Sequence, residues 1–192
     1  MDELTDGTPE EAVLENARRK ALAGVAMAAR EWLLVLGVDT EVVLDGRLLG
    51  KAGNEGEAGE RLEALSGRTH QVLSGVVVLA PPASKLEFVP SEGTKSKLAG
   101  SGHPSVPDPR PEERSGIARS LVTFRELDAG LIAPYLASGE WRDRAGAYAV
   151  QGLGSALVER LDGDLSNVIG LPVNLLLQLI PELLDQAGDS RS

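Results

Sequence analysis

The stretch Trp32-Leu-Leu-Val-Leu-Gly-Val-Asp-Thr-Glu-Val-Val-Leu44 sets one acid, Asp39, inside a run of valine and leucine. That composition belongs to a strand covered on both faces. A carboxylate taken out of water in such a place needs a partner, a metal or a reaction to serve. With Gly37 before it and Thr40-Glu41 after it, the run has two readings. It is a strand that opens at a cleft, with Asp39 as its reactive group, or a strand whose acid only turns the chain. Other polar groups carry the same two-sided reading. Lys20 lies one residue off the apolar stripe of a helix leading into the Asp39 strand, either at the cleft edge or as a solvated helix lysine. Lys51 follows Leu48-Leu-Gly50, where glycine lets backbone approach a ligand, or is a surface lysine after a hairpin. Gln151, between Ala145-Gly-Ala-Tyr-Ala-Val150 and Gly152-Leu-Gly154, offers a donor and an acceptor to a flat ligand, or sits in a glycine-rich turn.

Other chemistries are excluded. The chain contains no cysteine, so disulfides, thiolate metal sites and a cysteine nucleophile are absent. A reducing interior suits that composition. His70 and His103 are its two histidines, and no Gly-x-Ser-x-Gly, Gly-x-x-x-x-Gly-Lys-Ser/Thr or His-Glu-x-x-His motif occurs. A formal charge of −10 argues against a nucleic-acid polymer as partner. It leaves open one small phosphorylated ligand gripped by two lysines and a metal. No apolar run is long enough to span a membrane, and the acidic start lacks a signal peptide's basic and apolar regions.

The elements that must position these groups follow from patterning. Thr8-Pro9-Glu10-Glu11 is a helix start with a hydroxyl cap and an acid three residues on. The helix is expected to run to about Ala29, with Val13, Ala17, Ala21 and Val25 on one face. Asp45-Gly46 predicts a tight hairpin. A weaker helix is expected from Asn54–Glu57 to near Gly67, then a buried strand from His70 to Leu79. From Pro81 to about Ser115, proline, glycine, serine and charge dominate, which reads as a partly disordered insertion. A strand at Leu121–Phe124, a helix from Asp128 to Ala137 and a strand from Ala156 to Leu161 come next. A helix opened by Pro172 and bent at Pro181 ends the chain. The class is α/β, with a mixed sheet because at least one hairpin is present. The 192 residues make one domain, 1–192, carrying the insertion at about 81–115.

Taken in order, these segments resemble the Maf family of septum-formation-associated nucleoside triphosphate pyrophosphatases. The matching blocks are Ala17-Arg-Arg-Lys-Ala21, Val35-Leu-Gly-Val-Asp-Thr40, Leu49-Gly-Lys51, Leu65-Ser-Gly-Arg-Thr-His-Gln71 and Gly139-Glu140. Further along come Arg144-Ala-Gly-Ala-Tyr148 through Gly152, Gly163-Asp164 and Asn167-Val-Ile-Gly-Leu-Pro172. The resemblance implies an ITPase-like α/β fold, an elongated mixed sheet with two lobes around a central cleft. It implies metal-dependent hydrolysis of a nucleoside triphosphate to the monophosphate and pyrophosphate, in the cytoplasm, with a link to cell-division arrest. Under it, Asp39 matches the proton acceptor, Lys20 and Lys51 the lysines at the triphosphate, and Glu3, with Asp39, the acids that hold Mg²⁺ or Mn²⁺. Thr40 and Gln151 match the positions tied to base preference in the branch acting on dTTP and UTP. A homodimer is the candidate assembly.

Three departures stand out: the family's N-terminal apolar strand and Ser-x-x-Arg-Arg-type loop have no counterpart before Glu3, the insertion is long, and Ala52 replaces a usual proline. The first of these has two readings: a start set too late in the gene, or loss of part of the site, which leaves as the alternative a Maf-like protein of impaired catalysis that binds nucleotide or regulates division.

Overall fold

A computed structural model describes residues 7–27, 34–81 and 111–185. Helix α1 spans Pro9–Met27. Its start is a reciprocal capping box: the Glu11 N–H donates to Thr8 Oγ1 and the Thr8 N–H donates to the Glu11 carboxylate. The face expected for it is the one it buries, with Val13, Ala17 and Ala21 fully covered. Ala29 lies outside the described residues.

Strand β1 (Val35–Leu44) turns at Asp45-Gly46, both with positive φ, into the two-residue β2 (Arg47–Leu48). This is the primed hairpin that Asp-Gly favours. Helix α2 (Glu55–Leu65) is capped by Asn54, whose side chain accepts from the Glu57 N–H. Strands β3 (Thr69–Ala80) and β4 (Glu112–Phe124) form the long centre of the sheet. Helix α3 (Ala129–Ser138) follows. A 3-10 turn (Gly152–Leu157) then leads into β5 (Val158–Asp162). The short helices α4 (Leu165–Ile169), α5 (Val173–Leu179) and α6 (Glu182–Asp185) close the chain. No helix among the described residues is long and apolar enough to cross a membrane.

Several expectations change. Among the described residues five strands lie in the order β2-β1-β3-β4-β5, and every pairing between them is antiparallel rather than mixed. Strands β1 and β2 are joined by the hairpin, and the chain returns through α2 so that β3 pairs on the other side of β1. Strands β4 and β5 follow in order, each antiparallel to its neighbour, so no parallel crossover arises. Strand β4 begins at Glu112 instead of Leu121, which takes Glu112–Ser115 out of the expected insertion. Its first residues are polar, and pairing with apolar β3 makes them a strand. Ala156 belongs to the 3-10 turn, so β5 starts two residues later than expected. The C-terminal helix is split at Ile180-Pro181 rather than bent, and α4 is an additional element.

Side-chain alternation decides what each face of the sheet meets. Leu73, Gly75, Val77 and Leu79 of β3 face α1, where Ala17, Ala21 and Val13 pack on them. The opposite face is covered in two blocks. One joins Val42, Val72, Val122 and Phe124 to α2, α3 and Tyr148; the other sets Val76 and Val78 against α5 and Ile180. Thr40 and Ser74 lie between these two lobes, paired across β1 and β3.

Candidate functional site

Two glycines allow α1 to lie almost on the backbone of the sheet. A Cβ at Gly37 would stand 2.1 Å from the Ala17 carbonyl oxygen, and one at Gly75 2.4 Å from that of Val13. Gly75 is also the register partner of Asp39. This close approach brings the polar side of α1 onto the acid. Asp39 is 2 % exposed. Its Oδ2 accepts from Asn16 Nδ2 at 3.2 Å, and its Oδ1 accepts from the Lys20 ammonium. Asn16 and Lys20 are four residues apart, one above the other on the helix. Asp39 therefore does not turn the chain; it lies within β1 with both oxygens engaged.

Beside it is a cavity of ≈ 230 Å³ whose wall includes Lys20, Asp39, Thr40, Lys51 and Gln151. Successive residues of a strand point to opposite faces, yet Asp39 and Thr40 both reach this space. The reason lies at the edge of the sheet. Strand β2 pairs only with Val43 and Leu44 of β1, so among the described residues the earlier part of β1 has the cavity rather than another strand beside it.

Lys51 reaches the wall because Gly50 takes a positive φ of 54° after the hairpin. The segment is then tied to the loop opposite it. Lys51 forms a bridge with Ala145, and the Gly146 N–H donates to the Gly50 carbonyl at 2.8 Å. Arg61 donates to the same carbonyl at 2.9 Å. Gly146 presses against Val42, leaving no room for a Cβ, and Asp143 and Ala147 adopt left-handed φ of 59° each. Such backbone is held only where surrounding contacts over-determine it. The loop is folded against β1.

Thr40 shares a 2.7 Å hydrogen bond with the Ser74 hydroxyl. Their hydroxyls also reach the Gly170 and Asn167 carbonyls at 3.5 Å each. Asn167, completely buried, donates to the Val72 carbonyl and to Ser120 Oγ, pinning α4 to the sheet. Residues Val168–Gly170 thereby become the wall facing Gln151. The floor is aromatic. Tyr148 hydrogen-bonds His70 Nε2 at 2.8 Å, and both rings meet Phe124 edge to face. Burial holds His70 down to about 4, as a neutral imidazole, and pushes the Tyr148 phenol up.

The structure thus brings five expected residues to one cavity. Glu3 lies outside the described residues. The sequence reading does not single out Asn16, Asp143, Arg144 or Tyr148. The four-residue spacing to Lys20 is a signal for Asn16; the others owe their place to the loop fold. Among the described residues, the carboxylates on the cavity wall are Asp39 and Asp143. No three groups among His, Asp and Glu of the described residues converge as a metal cage. One or two carboxylates together with phosphate oxygens are the donor set that Mg²⁺ accepts, so a cation shared with a phosphorylated ligand fits this wall.

The chain matches the family model described as "Maf-like protein" over residues 1–183. It is 38% identical over 178 residues to a dTTP/UTP pyrophosphatase of Thermococcus gammatolerans, covering 93% of this chain and 79% of that protein. A dTTP/UTP pyrophosphatase of Alkalilimnicola ehrlichii is 39% identical over 181 residues, 92% of this chain and 75% of its own length. A nucleoside triphosphate pyrophosphatase of Xylella fastidiosa is 39% identical over 176 residues, 91% of this chain and 78% of its own length.

Proposed function

The chain belongs to the Maf-like family, and from that premise we propose that it is a nucleoside triphosphate pyrophosphatase whose preferred substrates are dTTP and UTP. The observation carrying the reading is that Lys20, Asp39, Thr40, Lys51 and Gln151, from well-separated stretches of chain, line one cavity. Water attacks the α-phosphorus while the bond to the β-bridging oxygen breaks, leaving the nucleoside monophosphate and pyrophosphate. Asp39 accepts the proton of that water as it attacks. Its carboxylate is fixed by the Asn16 and Lys20 donors, so its orientation is set before substrate arrives.

Lys20 and Lys51, with Arg144 on the same wall, hold the triphosphate and neutralise charge on the departing pyrophosphate. Three cations in one cleft provide that grip despite the acidic surface of the chain. Thr40 and Gln151 read the base: the Gln151 amide has a donor and an acceptor for the imide edge of thymine or uracil. Asp39, with Glu3 as a further ligand, would hold a divalent Mg²⁺ or Mn²⁺, which would supply charge neutralisation at the phosphates.

The test is release of pyrophosphate from dTTP, UTP and the other triphosphates with Mg²⁺ or Mn²⁺, for wild type and Asp39→Asn. The expected result is wild-type turnover favouring dTTP and UTP, with Asp39→Asn lower by at least about a hundredfold. Undiminished activity in Asp39→Asn would remove Asp39 as the base. Nucleotide binding without turnover in the wild type would favour a binding protein instead.

A further inference from the structure

Gln151 stands at the start of the 3-10 turn Gly152–Leu157 and makes no side-chain cap for it. The exposed N–H groups of such a start require an acceptor from elsewhere. Glu140, on a different segment, fills that role. Its Oε1 accepts from the Leu153 N–H at 3.2 Å and its Oε2 from the Gly154 N–H at 3.3 Å. The carboxylate lies so close under the turn that a Cβ at Gly152, whose φ is 65°, would stand 2.7 Å from it. On the other side of Gln151, the Ala149 N–H donates to the Tyr135 hydroxyl at 3.0 Å. A Cβ at Gly154 would stand 1.8 Å from the Ala149 carbonyl oxygen, so the chain folds back on itself around Gln151.

Gln151 itself is exposed and lines the cavity. An amide reads a base edge only if its backbone is fixed in distance and tilt, because two parallel hydrogen bonds tolerate little displacement. We infer that Glu140 is the positioning residue for base selection, its carboxylate clamping the turn that presents Gln151 to the nucleotide. This rests on the reading of Gln151 as the base-contacting amide. Glu140 touches no substrate and does not line the cavity. It acts through two main-chain donors, and a negative charge against such N–H groups is stronger than a neutral acceptor.

The experiment compares kcat and KM for dTTP and dATP, with melting temperature, in wild type, Glu140→Ala, Glu140→Gln, Gln151→Ala and the Glu140→Ala/Gln151→Ala double variant. Glu140→Gln keeps the length of the side chain and one acceptor oxygen, which guards against simple misfolding. In both Glu140 variants KM for dTTP should rise about tenfold with kcat changed less than about threefold, and the dTTP-over-dATP preference should fall about tenfold. The double variant should discriminate no worse than Gln151→Ala alone, because both substitutions remove one coupled interaction. A Glu140 variant that loses melting temperature while keeping full base preference overturns the assignment and leaves the reading of Gln151 intact. Unchanged preference in Gln151→Ala, or no turnover in the wild type, overturns the underlying reading together with the assignment.

Discussion

Replacing Gly37 with alanine should unseat α1 from the sheet and disable the site through that movement alone. The glycine is not needed for its backbone angles, since its φ lies outside the positive region; alanine's own conformation is therefore unstrained. The obstacle is steric and made of backbone. The new Cβ would meet the Ala17 carbonyl oxygen at 2.1 Å, the Ala21 nitrogen at 2.6 Å and the Ala21 Cβ at 2.8 Å, where ordinary contact starts at 3.4 Å. Helix and strand must separate by about 1.3 Å at the closest point to relieve it. Ala17 neighbours Asn16, and a similar lengthening of the 3.2 Å Asn16–Asp39 hydrogen bond carries it past bonding range.

Overpacking costs about 1–3 kcal/mol. Loss of a donor to a buried carboxylate adds about 1.5–3 kcal/mol. The sum of about 2.5–6 kcal/mol corresponds to a fall in Tm of about 5–24 °C for a chain of this size. Calorimetry and pyrophosphate release, measured on the same preparations, read both effects, and kcat should drop by at least about tenfold in the folded fraction. Gly46→Ala is the control. It has φ of 75° but nothing within 4 Å of its Cβ, so it should lose only about 1–2 kcal/mol, the cost of the left-handed backbone alone, and no activity. A Gly37→Ala protein that melts with wild type and turns over at full rate would refute the close seating of α1 on β1.

Four further outcomes are expected. Lys51→Met should lower kcat/KM about a hundredfold for every triphosphate alike, leaving the ratio between bases unchanged in steady-state assays, in contrast to Gln151→Ala. Asn167→Ala removes the donors to Val72 and Ser120; denaturant unfolding should show a loss of about 1–3 kcal/mol, and KM should rise as the α4 wall loosens. Asn54→Ala, at an exposed cap, should lose about 1 kcal/mol with kcat unaltered. His70 is held at about 4 against an ordinary 6.5, so the folded state binds fewer protons than the unfolded one between those values. Its contribution is fully present above pH 6.5 and is lost as pH falls toward 4, on the order of 3 kcal/mol in total. His70→Gln should flatten the stability–pH curve in that window; an equally steep curve would refute the assignment to His70.

Local signals set much of the frame. The capping box at Thr8, the helix start at Asn54, the Asp-Gly hairpin and the apolar runs of β1 and β3 could be read directly, because each depends on neighbours in the chain. Strand β4 could not be read from its start. Its residues Glu112–Ser115 are charged and polar, and they become strand by hydrogen bonding to Ala80–Val77 of β3, a partner remote in sequence. Helix α4 has five residues and too little pattern of its own; Asp164 caps it and Asn167 anchors it to β3 and β4.

For the site, the sequence by itself determined which chemistry was available: an acid in an apolar strand, lysines and an amide at ordered spacing, and no thiol or serine–histidine machinery. Residue type and local environment suffice for that inference, since both are written in the chain. Tertiary structure decided which of those groups meet. Asn16 and Lys20 engage Asp39 because Gly37 and Gly75 let a helix lie against two strands. Asp39 and Thr40 share one cavity, though they point to opposite faces, because among the described residues β2 stops short and leaves it beside the edge of β1. Glu140 reaches the turn after Gln151 only through a loop folded against β1. Distances across a sheet depend on register, edge and packing, which are properties of the folded chain rather than of any segment within it.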